Sequence, residues 1–296
     1  MDPIASHAEG FFGDASVEST KAIGRSIGNR VLSAICITLS LLTLVPLISI
    51  IFLVLKNGLP LLNWSVFTLL PPAAGTVGGG FGNAVLGTLV MVGLGLLMSA
   101  PVGILSAIYI NEYSPTSRLA NAVRLVAKLL TGIPSIICGV FAFAVVVSTT
   151  GSFSAVAGSV ALAVLMLPTI LLTSEQALIG VQNAYREASY GLGATKFQTI
   201  VRVALPDALP AIMTGIMLAV ARAAGETAPL VFTALFSQFW AKSLWEPTAS
   251  LSVLIYNFST VPFPHQIQMA WTASLVLVVF VTLANIAAQL AFSKKQ

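Results

Sequence analysis

A chain of 296 residues that is 57% hydrophobic and only 8% charged has too little polar surface to be wetted as a soluble domain, since such domains carry about 25% charged residues. The net charge of +4 is small, points to no nucleic-acid partner, and matters less than where the cations stand. The two cysteines, Cys36 and Cys138, lie far apart in apolar stretches, which excludes a disulfide framework or a metal site of clustered thiols; both are expected as small buried apolar residues.

Taken in chain order, residues 1–30 are polar and mixed in charge, with no apolar core or small-residue cleavage pattern of a signal peptide, and read as a cytoplasmic tail. The run 31–55 is long enough for a retained transmembrane helix, since crossing the hydrocarbon takes roughly 20 apolar residues. Further spans are predicted at 83–110, 129–150, 152–174, 208–236 and 268–292. An unbroken helix over 129–174 would be about 69 Å long, so the Thr149-Thr150-Gly151-Ser152 run is expected to turn the chain between two spans. The segments 56–82 and 237–267, rich in Gly, Pro and aromatics, read as outer loops with no core of their own. The prediction is an all-α membrane protein whose six transmembrane helices make one domain over 31–296.

Cation placement sets the orientation. Lys21, Arg25 and Arg30 precede span one, and Arg118, Arg124 and Lys128 follow span two. Arg186, Lys196 and Arg202 follow span four, and Lys294 and Lys295 end the chain. Only Lys56 and Lys242 fall on the other side, so both termini are expected in the cytoplasm. The lipid bilayer is then the first partner. No G-x-x-x-x-G-K-[ST] loop is present to cradle nucleotide phosphates, so any uphill work must be fuelled by another subunit.

The loop 175–207 contains Glu187-Ala188-Ser189-Tyr190-Gly191-Leu192-Gly193-Ala194-Thr195-Lys196-Phe197 and ends Val203-Ala204-Leu205-Pro206. It predicts two short helices with a bend at Gly191–Gly193, where glycine supplies backbone freedom. Thr195 and Gln198 are spaced as a capping box for the second helix, and Pro206 and Pro210 mark the start of span five. Geometry alone admits a docking element for a cytoplasmic partner or an amphipathic loop on the lipid surface.

These residues resemble the "EAA" loop of ATP-binding-cassette importer permeases, the coupling helix that seats in the ATPase. The pattern E-A-S-x-x-x-G-A-x-x-F…L-P places Glu187, Ala188, Gly193, Leu205 and Pro206 on motif positions, with Ser189 where the motif has Ala. Gly132-Ile133-Pro134-Ser135-Ile136 resembles the G-I-P-S-I of the phosphate permeases. The runs from Gly80 to Leu89 and from Ala224 to Leu230 are similar to the PstA branch of that family, not its sister PstC. The family often has Val-Pro where this chain has Val181-Gln182. The resemblance covers about 80–290. It implies the fold of type I importer permeases and a role in carrying inorganic phosphate across the plasma (inner) membrane of a bacterium or archaeon. It also implies a PstC-type sister permease, ATPase subunits docked on 175–207, and an extracytoplasmic phosphate-binding protein. This chain would then hold no cofactor, ATP and Mg belonging to the ATPase, and would not itself be an enzyme.

Arg222 and Glu226 lie four residues apart within predicted span five and share a helix face. A central charge costs about 2.5–3.5 kcal/mol to insert. Either the two neutralise each other and pin packing, or they mark the substrate pathway, with Arg222 lowering the barrier to an anion and Glu226 setting how tightly it is held. By the resemblance, Gly132, Pro134 and Ser135 lie near the same path. Ala211, Gly215, Ala219 and Ala223 form a small-residue stripe for close helix packing, with the partner permease as one candidate neighbour. Gly78-Gly79-Gly80 reads as a hinge before span two, with a backbone anion nest as the alternative. Trp64, Trp240, Trp245 and Trp271 fit an interfacial belt, and His265 with His7 makes no metal constellation. Three competing readings stay open: a permease for another oxyanion, a secondary anion carrier, and a membrane scaffold.

Overall fold

The computed structural model describes the backbone of residues 5–292, with side chains described for residue 29 and residues 31–290. The side chains of His7, Lys21, Arg25, Arg30, Lys294 and Lys295 lie outside the described residues. Every described element is helical. The chain divides into two units, Met1–Leu55 and Lys56–Gln296.

The first unit is most of one helix, α1 (Ala5–Gly58, 54 residues). At 1.5 Å per residue it is about 81 Å long, and its part fit to cross a membrane is Val31–Gly58. Cys36 is exposed on α1, against the expectation of burial; a thiol is apolar enough to face lipid as readily as a protein core.

The second unit begins with a single turn, α2 (Ser65–Thr68). It continues with α3 (Gly82–Tyr113), α4 (Arg118–Thr131), α5 (Ser135–Thr150) and α6 (Ala155–Ile179). A short α7 (Asn183–Gly191) leads to α8 (Lys196–Gly225). The chain ends in α9 (Ala228–Val231), α10 (Leu251–Ser259) and α11 (Pro264–Phe292). Among the described residues five helices are long and apolar enough to span a membrane, and α4 with α5 makes a sixth if that bent pair counts as one crossing.

α6 is the axis of the main core. Leu162, Met166, Ile170 and Leu178 are fully buried along it, and α3 and α8 lie against it because their facing residues are small. A Cβ added at Gly103 would come within 2.9 Å of Ile170, and one at Gly215 within 2.1 Å of Thr173 Oγ1. The small-residue stripe of α8 is therefore spent inside this chain: Gly215, Ala219 and Ala223 are buried, while Ala211 is exposed. This corrects the candidate pairing with a partner permease.

Three boundaries differ from expectation. Predicted span three started at 129, but Leu129–Thr131 close the amphipathic α4, and the chain bends 106° before α5 starts at Ser135. Proline causes this, because it disfavours helix at the residue before it, here Ile133. Predicted span five ran to 236, but α8 stops at Gly225. Pro229 has no N–H, and its ring would clash with the carbonyl of residue 225 if the helix went on. Thirdly, α8 starts at Lys196, so the second short helix of the loop is the head of span five. A π turn over Ile200–Ala204 carries the helix into Pro206, with the Leu205 N–H reaching the Ile200 carbonyl. The turn at 149–152 is where it was expected, with Gly151 at φ 70°.

Neither outer segment has a core of its own, but the two share one with the ends of α3 and α11. Phe81, Ala84, Leu251, Leu254, Met269 and Ala273 form a second buried cluster, on which the unforeseen α10 packs. Gly78 is fastened here: its N–H and carbonyl both lie 3.0 Å from His265 Nε2, one or the other bonded according to the tautomer. With Gly80 N–H also donating to the Leu70 carbonyl, this run is a fixed strap, which displaces the hinge reading. Trp64, Trp240 and Trp245 are exposed on these segments.

Candidate functional site

Two groups of residues carry chemistry. The first is the α7 region. The helix ends in a Schellman motif: the Ala194 N–H bonds the Ser189 carbonyl, the Gly193 N–H bonds the Tyr190 carbonyl, and Gly193 takes φ +81°. The expected bend is present, and Gly193 makes it; Gly191 has no positive φ and stays in the helix. The Thr195–Gln198 capping box then opens α8 with both reciprocal bonds formed. Nothing crowds a Cβ at Gly193, so Gly193→Ala tests backbone strain alone. A loss of about 1–2 kcal/mol is expected from the left-handed conformation, read as a lower thermal midpoint of the detergent-solubilised protein, with Gly193→Asn losing less.

The surface of this element is divided. Glu187 and Ala188 are exposed, and Tyr185, Tyr190, Leu192 and Phe197 offer large exposed apolar area, with Leu192 90% exposed. Among the described residues Glu187 has no hydrogen bond or ion pair. Ser189 faces inward, its Oγ 2.9 Å from Thr199 Oγ1, which ties α7 to α8. The next residue back from Glu187 behaves oppositely. Arg186 is nearly buried and paired with Glu112 at 2.8 Å, with side-chain exposures of 14% and 7%. Leu205 and Pro206 stand apart from that surface, about 14 Å further along α8 than Lys196: Leu205 packs on the main core, while Pro206 is exposed.

Sequence reasoning missed the charges behind this element. Arg124 of α4 pairs with Glu175, which is 3% exposed in α6, and donates to the carbonyls of Pro115 and Ile110. The available signal was sparse acids facing basic loops, with Glu112 and Glu175 at the ends of spans two and four.

The second group lies where α8 stops. Arg222 stands in the last turn and Glu226 at the C-cap, with Nε to Oε1 at 3.5 Å. The pair exists, but it borders a break and does not lie mid-helix. The Arg222 side chain is 45% exposed and that of Glu226 16%. Glu226 leaves the helix with ψ 126°, and its carbonyl accepts from Ser252 Oγ of α10 at 2.8 Å. Unwound backbone inside a membrane needs such partners. α5 closes on the break from another side, since a Cβ at Gly139 would lie 2.6 Å from Pro229 Cα. Of the α4–α5 residues expected near the charges, Gly132 and Pro134 sit exposed at the bend. Ser135 lies one turn before Cys138 and Gly139 on the same helical face, and Gly139 meets Pro229 three residues beyond Glu226.

A cationic side chain half open at a helix break, held by a carboxylate, can attract an anion without trapping it. An exposed apolar and acidic helix on a braced base can take a protein partner.

Comparison with known proteins adds the following. The family described as binding-protein-dependent transport system inner membrane component matches residues 99–294. The chain is 38% identical over 268 residues to the phosphate transport system permease protein PstA of Yersinia pestis, covering 90% of this chain and 91% of that one. It is 39% identical over 247 residues to the PstA protein of Haemophilus influenzae, covering 83% and 87%. Among solved structures it is similar to a bacterial alginate ABC transporter in complex with alginate pentasaccharide-bound periplasmic protein. The TM-score there is 0.62 at 19% identity, covering 87% of this chain and 92% of that one, which speaks for the fold.

Proposed function

The chain belongs to the binding-protein-dependent transport system inner membrane components, in the branch of PstA phosphate transport permeases, and on that premise we propose how its geometry serves the work. It is a permease subunit of an ATP-binding-cassette importer for inorganic phosphate and is not itself an enzyme. ATP and Mg are held by a separate ATPase.

In this reading the chain crosses the membrane six times, α4 with α5 counting as one crossing, and both termini are cytoplasmic. The spanning domain is 31–296, after a tail of 1–30. The ATPase seats on α7 and the capped start of α8, with Glu187, Ala188 and Gly193 at or beneath the contact. A PstC-type sister permease completes the pathway, and an extracytoplasmic phosphate-binding protein delivers cargo to the outer segments. Phosphate passes Arg222, whose planar fork of donors suits a tetrahedral oxyanion. Glu226 holds that fork in place, and Ser135 of α5 lines the approach.

The observation that carries this reading is the division of α7, where Glu187 is exposed and unpaired while its neighbour Arg186 is locked inward. Such a helix is fixed on one side and open on the other. The test is phosphate uptake by proteoliposomes holding this chain with its partner permease, ATPase and binding protein. ATP sealed with the ATPase should drive uptake that excess sulfate or molybdate does not suppress. Uptake that follows an ion gradient and ignores ATP would overturn the reading.

A further inference from the structure

We propose that the π turn closing α3, Tyr109–Tyr113, is the receiver that couples α7 to the transmembrane bundle, with Glu112 and Arg186 as its positioning residues. The inference rests on α7 being the ATPase seat.

A π turn holds one residue more than an α turn and recurs at functional positions in helices. This one closes α3, which packs on α6 through Gly103 and Ile170, at the end that is cytoplasmic in the proposed orientation. Two side chains of the turn reach the coupling region. Glu112 pairs with Arg186 of α7, and the Tyr113 ring lies 5.1 Å under Lys196 Nζ at the head of α8. Both arms of the bend at Gly193 are thus held by adjacent residues of one turn.

Arg186 is also bonded to the Leu178 carbonyl at 2.8 Å and the Val181 carbonyl at 2.7 Å, which close α6 and its exit turn. Its fork therefore joins α3, α6 and α7 at a single point, which a lysine's point charge cannot do. The turn has a second anchor behind it. Arg124 donates to the Ile110 carbonyl and pairs with Glu175 of α6. A push on the exposed side of α7 is passed through Arg186 to Glu112 and so to the end of α3, instead of being lost in a swinging loop. This network makes no contact with Arg222 or Glu226 among the described residues, so its effect is on coupling and not on recognition of the anion.

The test uses the complete transporter in proteoliposomes and reads phosphate moved per ATP hydrolysed. Glu112→Gln and Arg186→Gln should each lower that ratio at least tenfold while the ATPase still co-purifies. The double variant should do no worse than the poorer single, because residues acting as one unit are non-additive. Arg186→Lys, which keeps the charge and loses the fork, should fall about threefold. It decides the matter should Glu112→Gln not assemble. Within this chain, Lys196→Gln removes the contact with Tyr113 among the described residues, worth a twofold to fivefold loss in complexes that keep their ATPase, on the scale of exposed cation–π pairs. Ratios within twofold of the parent in the Glu112 and Arg186 variants, or losses that multiply in the double, would overturn the proposal. The underlying seat fails separately: a Glu187→Lys complex that keeps its ATPase and full uptake would sink that reading whatever Glu112 does.

Discussion

Glu187→Lys should release the ATPase from the permease. The side chain is exposed and has no partner among the described residues, so reversing its charge breaks nothing inside this chain. The fold should be untouched, with an unchanged thermal midpoint for the isolated subunit. In the proposed seat, a docked ATPase that meets Glu187 with a cation loses that attraction and gains a repulsion. Loss of one partner in a buried interfacial charge pair costs about 2–5 kcal/mol. Affinity should therefore fall by roughly 30-fold to several thousand-fold, at 1.4 kcal/mol per decade. Co-purification of the ATPase and ATP-driven uptake are the two readouts. A companion variant at Tyr190 or Leu192 should weaken docking without the salt dependence that the Glu187 contact confers. Full assembly in Glu187→Lys at low and high salt would show that the exposed face of α7 is not the seat.

Arg222→Gln should nearly abolish uptake while leaving assembly intact. At an effective dielectric of about 20, a unit charge 5 Å from the anion contributes about 3 kcal/mol, or about two orders of magnitude in rate. The fold is at little risk, because the side chain is 45% exposed and its one ion pair is a long contact of 3.5 Å. Glu226→Gln has the opposite sign at the first step. It removes the carboxylate that offsets the guanidinium, so phosphate should bind more tightly and leave more slowly. The expected signature is a lower half-saturation concentration with a maximal rate reduced about tenfold. The two variants separate the pathway reading from a packing pin. If the pair serves packing alone, Arg222→Gln and Glu226→Gln should shift the thermal midpoint in the same direction, with no change in how uptake saturates.

Much of this was legible in the sequence, because long charge-free runs admit few structures in lipid. Spans two, four and six fall within a few residues of α3, α6 and α11, and the Thr195 capping box formed as spelled. The misreadings share a cause: apolar runs show what avoids water but not where a helix ends. Residues 226–236 are apolar enough to extend span five, yet Gly225 and Pro229 stop it. Leu129 and Leu130 joined span three on hydropathy, although they belong to an amphipathic helix that ends before Pro134, with Leu129 on its exposed face and Leu130 half-buried. α10 went unseen because its nine residues are too short to cross and lie in a polar, proline-rich setting, where only the Ser250 N-cap announced a helix. The braces at Glu112 and Glu175 were out of reach for another reason. Each joins residues 51 or more positions apart, and a lone acid at a span end spells no partner.

The contact of Gly139 with Pro229 has a bearing on where the cargo can travel. With a would-be Cβ at 2.6 Å from Pro229 Cα and 3.1 Å from its carbonyl oxygen, the two backbones leave no gap there for even a bare ion, let alone a hydrated one. That seam is closed, so nothing passes between α5 and α9 at this point, next to the break that Arg222 and Glu226 border. In the proposed transporter, one copy then supplies one wall of the conduit and the sister permease the other. The diameter of the passage is then set by how far apart two wall-forming subunits stand, which is a quantity that a cytoplasmic motor gripping both can change.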